Sequence, residues 1–218
     1  MKLYSVNLSP YAARPRIAIY AKGLDVQIAP PPGGPGSDDY RAINPMGKVP
    51  CLVRDDGLCI PESDTIVEYF EDAFPDAAPL RPASAEDKAK ARVLARLADL
   101  YVMAPMSKLF GQLNPAQRDQ AVVDALLEEV EKGLDGLNVF LSDDGYAAGA
   151  GFSTADVQIA PPLFYLPLVA MAFGRDLLGD RPRLKAYAER LKQHPAVARA
   201  YGEMGEALNR YQTTGEVV

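Results

Sequence analysis

Only two cysteines and one histidine occur in the 218 residues. Cys51 and Cys59 form no Cys-x-x-Cys pair, and His194 lies far from both in the chain. The usual Cys/His zinc sites are therefore excluded, and no metal is expected. A serine hydrolase would have to use His194, which precedes Pro195 in a charged helical stretch. Two cysteines without a disulfide framework suit a reducing compartment, so a cytoplasmic location is expected. Positive charge is scarce as well: 23 Lys and Arg stand against 29 Asp and Glu, a formal charge of −6. A general nucleic-acid binder needs a basic face to neutralise phosphates, so nucleic acid is not an expected partner. No unbroken apolar run approaches the roughly 18–20 residues that cross a bilayer. The opening MKLYSVNLSPYAAR lacks the apolar segment and small-residue cleavage site of a secretory leader. A membrane partner is therefore not expected.

What is present is an ordinary globular composition, 48% apolar and 24% charged, split between two kinds of periodicity. In residues 1–80 short apolar runs alternate with helical patterns. LYSVNL (3–8) and DVQIAP (25–30) read as strands, and residues 12–22 read as a helix ending at Gly23. PPPGGPG reads as a loop, with a loop or short helix before the next strand. Residues 49–53 and 58–60 flank Arg-Asp-Asp-Gly, a hairpin signal. Ile66, Val67, Phe70 and Phe74 mark one face of a helix over 62–74. Three prolines among residues 75–84 make a linker. After it the patterns are helical: 85–113, 115–141, 153–173 with interruptions at Pro161, Pro162 and Pro167, then about 182–193 and 195–211. Within Phe152–Val157, Ser153 can cap a helix with Asp156 three residues on. Phe152 and Val157 are placed as a hydrophobic staple. That stretch reads as a folding signal.

Three motifs in the first half can carry chemistry. Ser9-Pro10-Tyr11-Ala12-Ala13-Arg14 sits between the first strand and the first helix. A hydroxyl at a helix N-terminus lies where backbone N–H groups and the helix dipole favour negative charge. It can equally be a plain N-cap. Asn44-Pro45-Met46-Gly47-Lys48-Val49-Pro50 puts a proline just before a strand, where it removes a ladder donor. A cis bond there would present the Val49 backbone to an extended peptide ligand, although most X-Pro bonds are trans. Pro61-Glu62-Ser63-Asp64-Thr65 begins a helix. Its N-terminus can receive a carboxylate, and Glu62 can receive an ammonium group.

In this order and spacing, SPYxxRxRIA, NPMGKVPCL and ESDTIVEYFED resemble the glutathione S-transferase superfamily. FSTADV resembles its capping-box segment, so the likeness covers nearly the whole chain. The resemblance implies a thioredoxin-like α/β N-terminal domain over 1–78 and an all-α helical domain over 85–218. It also implies glutathione as cofactor or co-substrate, and a homodimer. Ser9, five residues before Arg14, is placed like the catalytic serine of the theta, tau and zeta classes. It would donate a hydrogen bond to the glutathione sulfur. Val49 would pair its backbone with the cysteinyl part beside a cis Pro50. Glu62 and Ser63 would bind the γ-glutamyl ammonium and carboxylate, and Lys48 would lie near the glycyl carboxylate. The position where tyrosine-type classes carry their catalytic residue is Leu8, and neither cysteine lies near Ser9 in sequence. Cys51 reads as core by its alternating strand position. The paired serine-cysteine motif of the zeta class is replaced by SPYAAR.

A thiol ordinarily ionises near 8.5, so a hydrogen bond and a helix N-terminus that favour the thiolate would activate it. The expected enzyme is a glutathione transferase that turns this thiolate on a hydrophobic electrophile, as in detoxification. Alternatives are a glutathione-dependent isomerase or lyase, like maleylacetoacetate isomerase or an etherase, and a non-catalytic glutathione-binding protein. Tyr11, Tyr101, Met106 and Phe110 are candidates for the apolar electrophile pocket, and core packing is the competing reading for each.

Overall fold

In the computed structural model, which describes residues 1–217, the chain divides into two compact units. One comprises Met1–Leu80 with the C-terminal segment from His194; the other comprises Arg81–Gln193.

The first unit is built on a four-stranded sheet ordered β2-β1-β3-β4. The strands are β1 (Lys2–Tyr4), β2 (Gln27–Ala29), β3 (Cys51–Val53) and β4 (Cys59–Pro61). β1 and β2 are parallel and joined through helix α1 (Pro10–Lys22), while β3 and β4 run antiparallel to their neighbours. This is the expected thioredoxin-like mixed sheet. Leu3 and Leu52 are paired and fully buried, so their face of the sheet belongs to the core. Tyr4 lies on the other face, where Tyr40 of the short helix α2 (Asp38–Arg41) meets it edge-on at 5.6 Å. Helix α3 (Ser63–Ala73) packs against α1. Gly23 ends α1 in the left-handed conformation at φ 66°, returning its N–H to Ile19 and Tyr20.

The strands are shorter than the apolar runs. LYSVNL leaves the ladder after Ser5, whose N–H reaches the Ala29 carbonyl, because Val6–Ser9 then turns to cap α1.

Helix α9 (Pro195–Thr214) packs on α1 in this same unit. The join is polar. Arg16, 1% exposed, donates to Asn7 and to the Glu203 carboxylate, which also accepts from Tyr20 Oη. Burial, then the Glu203 hydrogen bond and charge, push the Tyr20 phenol up to about 12. Removing the carboxylate leaves a guanidinium buried without its counter-charge. Glu203→Gln is expected to cost about 2 kcal/mol in urea melts.

The second unit is helical. Its first long pattern is one continuous run whose middle is π-wound: α4 (Ala85–Arg96), a π-helical segment Leu97–Met103, then α5 (Ala104–Phe110). It packs on α6 (Gln120–Phe140), which starts later than its apolar pattern because Pro115–Gln117 forms a separate 3₁₀ turn. The contact is close enough that a methyl at Gly133 would overlap the Tyr101 carbonyl. Helix α7 (Thr154–Phe173) contains Pro161, Pro162 and Pro167 yet runs without a break, and α8 (Pro182–Leu191) packs against it. Helix α7 is long and apolar enough to cross a bilayer by composition, which a count of unbroken apolar residues overlooks. Its most apolar window is 61% buried within the fold, as in a core helix.

The capping box at α7 forms, with the Ser153 N–H donating to Asp156 Oδ2 at 2.8 Å. Phe152 packs edge-on against Tyr146 at 5.6 Å.

Candidate functional site

Strand register brings the three motifs to one end of the sheet. Tyr4, the last residue of β1, pairs with Cys51, the first of β3, and Cys51 pairs with Pro61, the last of β4. The segments that leave or enter there are therefore Ser5–Ser9, Lys48–Pro50 and Glu62–Ser63.

Ser9 is the N-cap of α1. Its Oγ accepts from the Ala12 N–H at 3.2 Å, and Pro10 follows as the first helical residue. A hydroxyl used as an acceptor by its own helix keeps its proton to donate elsewhere. The capping and chemical roles of Ser9 are thus compatible. The uncapped N–H groups of the first turn add positive potential around it.

The Val49–Pro50 peptide is cis. Among the described residues none hydrogen-bonds to the Val49 N–H or carbonyl. An extended ligand could pair there as an added strand does. Tyr40 Oη and Asn44 Nδ2 both donate to the Lys48 carbonyl, at 2.9 and 2.8 Å, and so hold the residue before Val49. Asn44 is 1% exposed. Lys48 itself is exposed, on the rim, and Pro50 is buried.

At the third motif Glu62 is exposed and takes φ 70°, the one left-handed non-glycine residue among those described. Such a conformation costs on the order of 1–3 kcal/mol and clusters at ligand sites. It aims the chain into α3, whose first residue is Ser63. Ser63 is 4% exposed, and its Oγ accepts from Arg14 Nη1 at 3.2 Å. Its hydroxyl proton remains for a ligand, as does its N–H in the first turn. Arg14 is 1% exposed and stacks on the Tyr11 ring at 4.8 Å. It thereby ties the start of α1 to the start of α3.

Arg14, Tyr40 and Asn44 as positioning residues are what the sequence reading missed. The only signal for Arg14 was its spacing from Ser9, and nothing local marks Tyr40 as reaching Lys48. Seven basic and eleven acidic residues fall in 1–80, so attraction of an anionic peptide rests on these local groups, not on net charge. A cavity of about 500 Å³ lies near the same sheet end, lined by Ser5, Asn7, Pro30 and Pro35 among others, but by none of the motif residues.

The pocket candidates divide. Tyr11 is half-buried in the first unit. In the helical unit Tyr101 is 54% exposed, and Phe110 is half-buried with its ring 5.2 Å from Tyr165. Met106 is wholly buried and packs as core. Among the described residues no His/Cys/Asp/Glu cluster could hold a metal.

Glutathione fits this end of the sheet: a γ-linked tripeptide offers a thiol, an ammonium, two carboxylates and a backbone to pair. Comparison with known proteins points the same way. The family model described as "Glutathione S-transferase, N-terminal domain" matches residues 3–79, and the corresponding C-terminal domain model matches 120–190. The maleylacetoacetate isomerase of Pseudomonas aeruginosa is 30% identical over 208 residues, covering 92% of this chain and 95% of that protein. The crystal structure of glutathione transferase F7 from Populus trichocarpa superposes with TM-score 0.79 at 26% identity, covering 93% and 98% of the two chains. A maleylacetoacetate isomerase from Methylobacterium extorquens AM1, solved with bound malonate and GSH, gives TM-score 0.75 at 28% identity over 94% and 97%. With both domain models matched and a thioredoxin-like sheet gathering the three motifs at one end, this chain belongs to the glutathione S-transferase family.

Proposed function

We propose that Ser9 is the residue that activates glutathione in this enzyme, by donating its hydroxyl proton in a hydrogen bond to the sulfur. The observation that carries this is the Ala12 N–H···Oγ bond, which fixes the hydroxyl oxygen at the helix N-terminus and leaves its proton available to donate. Glutathione supplies a nucleophilic sulfur when bound. Ser9 and the first turn of α1 stabilise negative charge at that position. The Val49 N–H and carbonyl pair the peptide backbone, with the cis Pro50 holding the bend. Glu62 takes the γ-glutamyl ammonium, Ser63 takes the adjacent carboxylate, and Lys48 meets the glycyl carboxylate. We assign glutathione binding to residues 1–78 and electrophile binding to 85–218, with Tyr11, Tyr101 and Phe110 as the candidate apolar contacts; Met106, wholly buried, is core rather than a contact.

The second substrate is then a hydrophobic electrophile held by apolar and aromatic side chains. Glu62→Gln should raise KM for glutathione about 5- to 10-fold, the loss of one charge-assisted hydrogen bond at an exposed position. Its thermal midpoint should not move. An unchanged KM would remove Glu62 from the site.

A second reading, a glutathione-dependent isomerase, is favoured by the two maleylacetoacetate isomerases among the relatives. Thiol consumption separates the two: conjugation uses one glutathione per turnover, whereas isomerisation returns it. We further propose a cytoplasmic homodimer serving detoxification. Light scattering should give twice the chain mass.

A further inference from the structure

Cys51 and Cys59 occupy diagonal positions on neighbouring antiparallel strands. Cys51 pairs with Pro61 and Cys59 with Val53, so both side chains lie on the Tyr4 face of the sheet. Their sulfurs are 2.6 Å apart, and both are free thiols. A disulfide needs about 2.05 Å, and the two sulfurs already meet on one face of the sheet without a change of strand register. Access differs between the two. Cys51 is wholly buried, whereas Cys59 is half-buried and opens β4 next to the exposed turn Asp55–Leu58.

We propose that Cys51 and Cys59 form an exchange-active dithiol, a second thiol centre separate from Ser9, which closes to an internal disulfide by reducing low-molecular-weight disulfides such as glutathione disulfide. Cys59, the accessible member, attacks one sulfur of glutathione disulfide as its thiolate. The S–S bond breaks, one glutathione leaves as thiolate and takes up a proton, and a mixed disulfide remains on Cys59. Cys51 then gives up its proton to solvent and attacks Cys59 Sγ, releasing the second glutathione, which is protonated in turn. The balance is two protein thiols and one glutathione disulfide giving one protein disulfide and two glutathiones.

The surroundings impose this order. Burial, then the hydrogen bond and charge of Cys59, push the Cys51 thiol up, so Cys51 is a poor first nucleophile. Once Cys59 is in the mixed disulfide it carries no charge, and that part of the resistance disappears. The proposal does not rest on the role of Ser9, and Ser9→Ala should show the same exchange.

The test is intact mass and peptide mapping of the folded, fully reduced protein after incubation with glutathione disulfide. The expected product has lost two hydrogens, carries a Cys51–Cys59 link, and has released two glutathiones per chain; dithiothreitol reverses it. Cys51→Ser should stop at one stable glutathionyl group on Cys59, and Cys59→Ser should remain unmodified. Because the buried Cys51→Ser change can unsettle the core, the wild-type mass decides alone. An unmodified wild-type chain, or one that keeps a stable glutathionyl adduct, overturns the proposal, as does a link between two chains.

Discussion

Ser9→Ala is expected to lower kcat/KM by about 10²-fold while glutathione affinity changes less than about threefold. The size follows from removing one preorganised donor aimed at a developing anion in a fixed site. Affinity should hold because the proposed contacts to the tripeptide lie elsewhere, at Val49, Glu62 and Ser63. The substitution also removes an N-cap, since Oγ accepts from the Ala12 N–H, so a loss of about 1 kcal/mol in stability accompanies it. Ser9→Thr separates the two effects. Threonine keeps both the capping oxygen and the hydroxyl proton, and should recover most of the turnover and the stability. Steady-state kinetics with saturating glutathione, beside an equilibrium binding measurement, reads both. A variant with unchanged turnover would sink the assignment of Ser9.

The second large effect lies in folding. Asp156 is wholly buried in the helical unit and accepts from four donors: the Ala147 N–H at 2.9 Å, and the Ser153 N–H, Ser153 Oγ and Tyr187 Oη, each at 2.8 Å. It therefore joins the loop before α7, the α7 cap and α8 at one point. Asp156→Ala strands these donors in the core at once, and is expected to cost about 4 kcal/mol. For a chain of this size that lowers the melting midpoint by roughly 10 °C. Burial raises the Asp156 carboxyl above the ordinary carboxylate range, while the four hydrogen bonds pull it back. With a raised folded value the native state binds the proton more tightly than the unfolded chain. The contribution to stability is full below about pH 3.9 and is lost as pH rises through the folded value. Asp156→Asn, which does not titrate, should therefore lose more stability relative to wild type at pH 4 than at pH 7. Denaturant melts at the two pH values check the sign.

Local patterns carried most of this architecture. The capping signal at Ser153, the left-handed stop at Gly23 and the hairpin around Arg-Asp-Asp-Gly are short-range chemistry, and each appears where its residues stand. What stayed hidden depends on contacts distant in sequence. Nothing in residues 195–211 reveals that α9 packs on α1, because the decisive pair, Arg16 with Glu203, is 187 positions apart. The π-wound segment Leu97–Met103 is invisible to a 3.6-residue period. The prolines of α7 read as breaks, yet the helix runs through all three. At the site, motif order was legible and the resemblance implied the cis Pro50 that the structure shows, but the left-handed Glu62 and the Arg14–Ser63 bond were not legible. Met106 and Tyr101 look alike as apolar candidates in a helical pattern, and only packing separates a buried side chain from an exposed one.

The central claim is that the helix N-terminus at Ser9 makes bound glutathione more acidic. Titrating the ultraviolet thiolate absorbance of the enzyme–glutathione complex against pH tests it directly. The account predicts a midpoint clearly below the free thiol value of about 8.5 in the wild type, and a return towards that value in Ser9→Ala. Equal midpoints in the two proteins, or a wild-type midpoint at the free value, would contradict it.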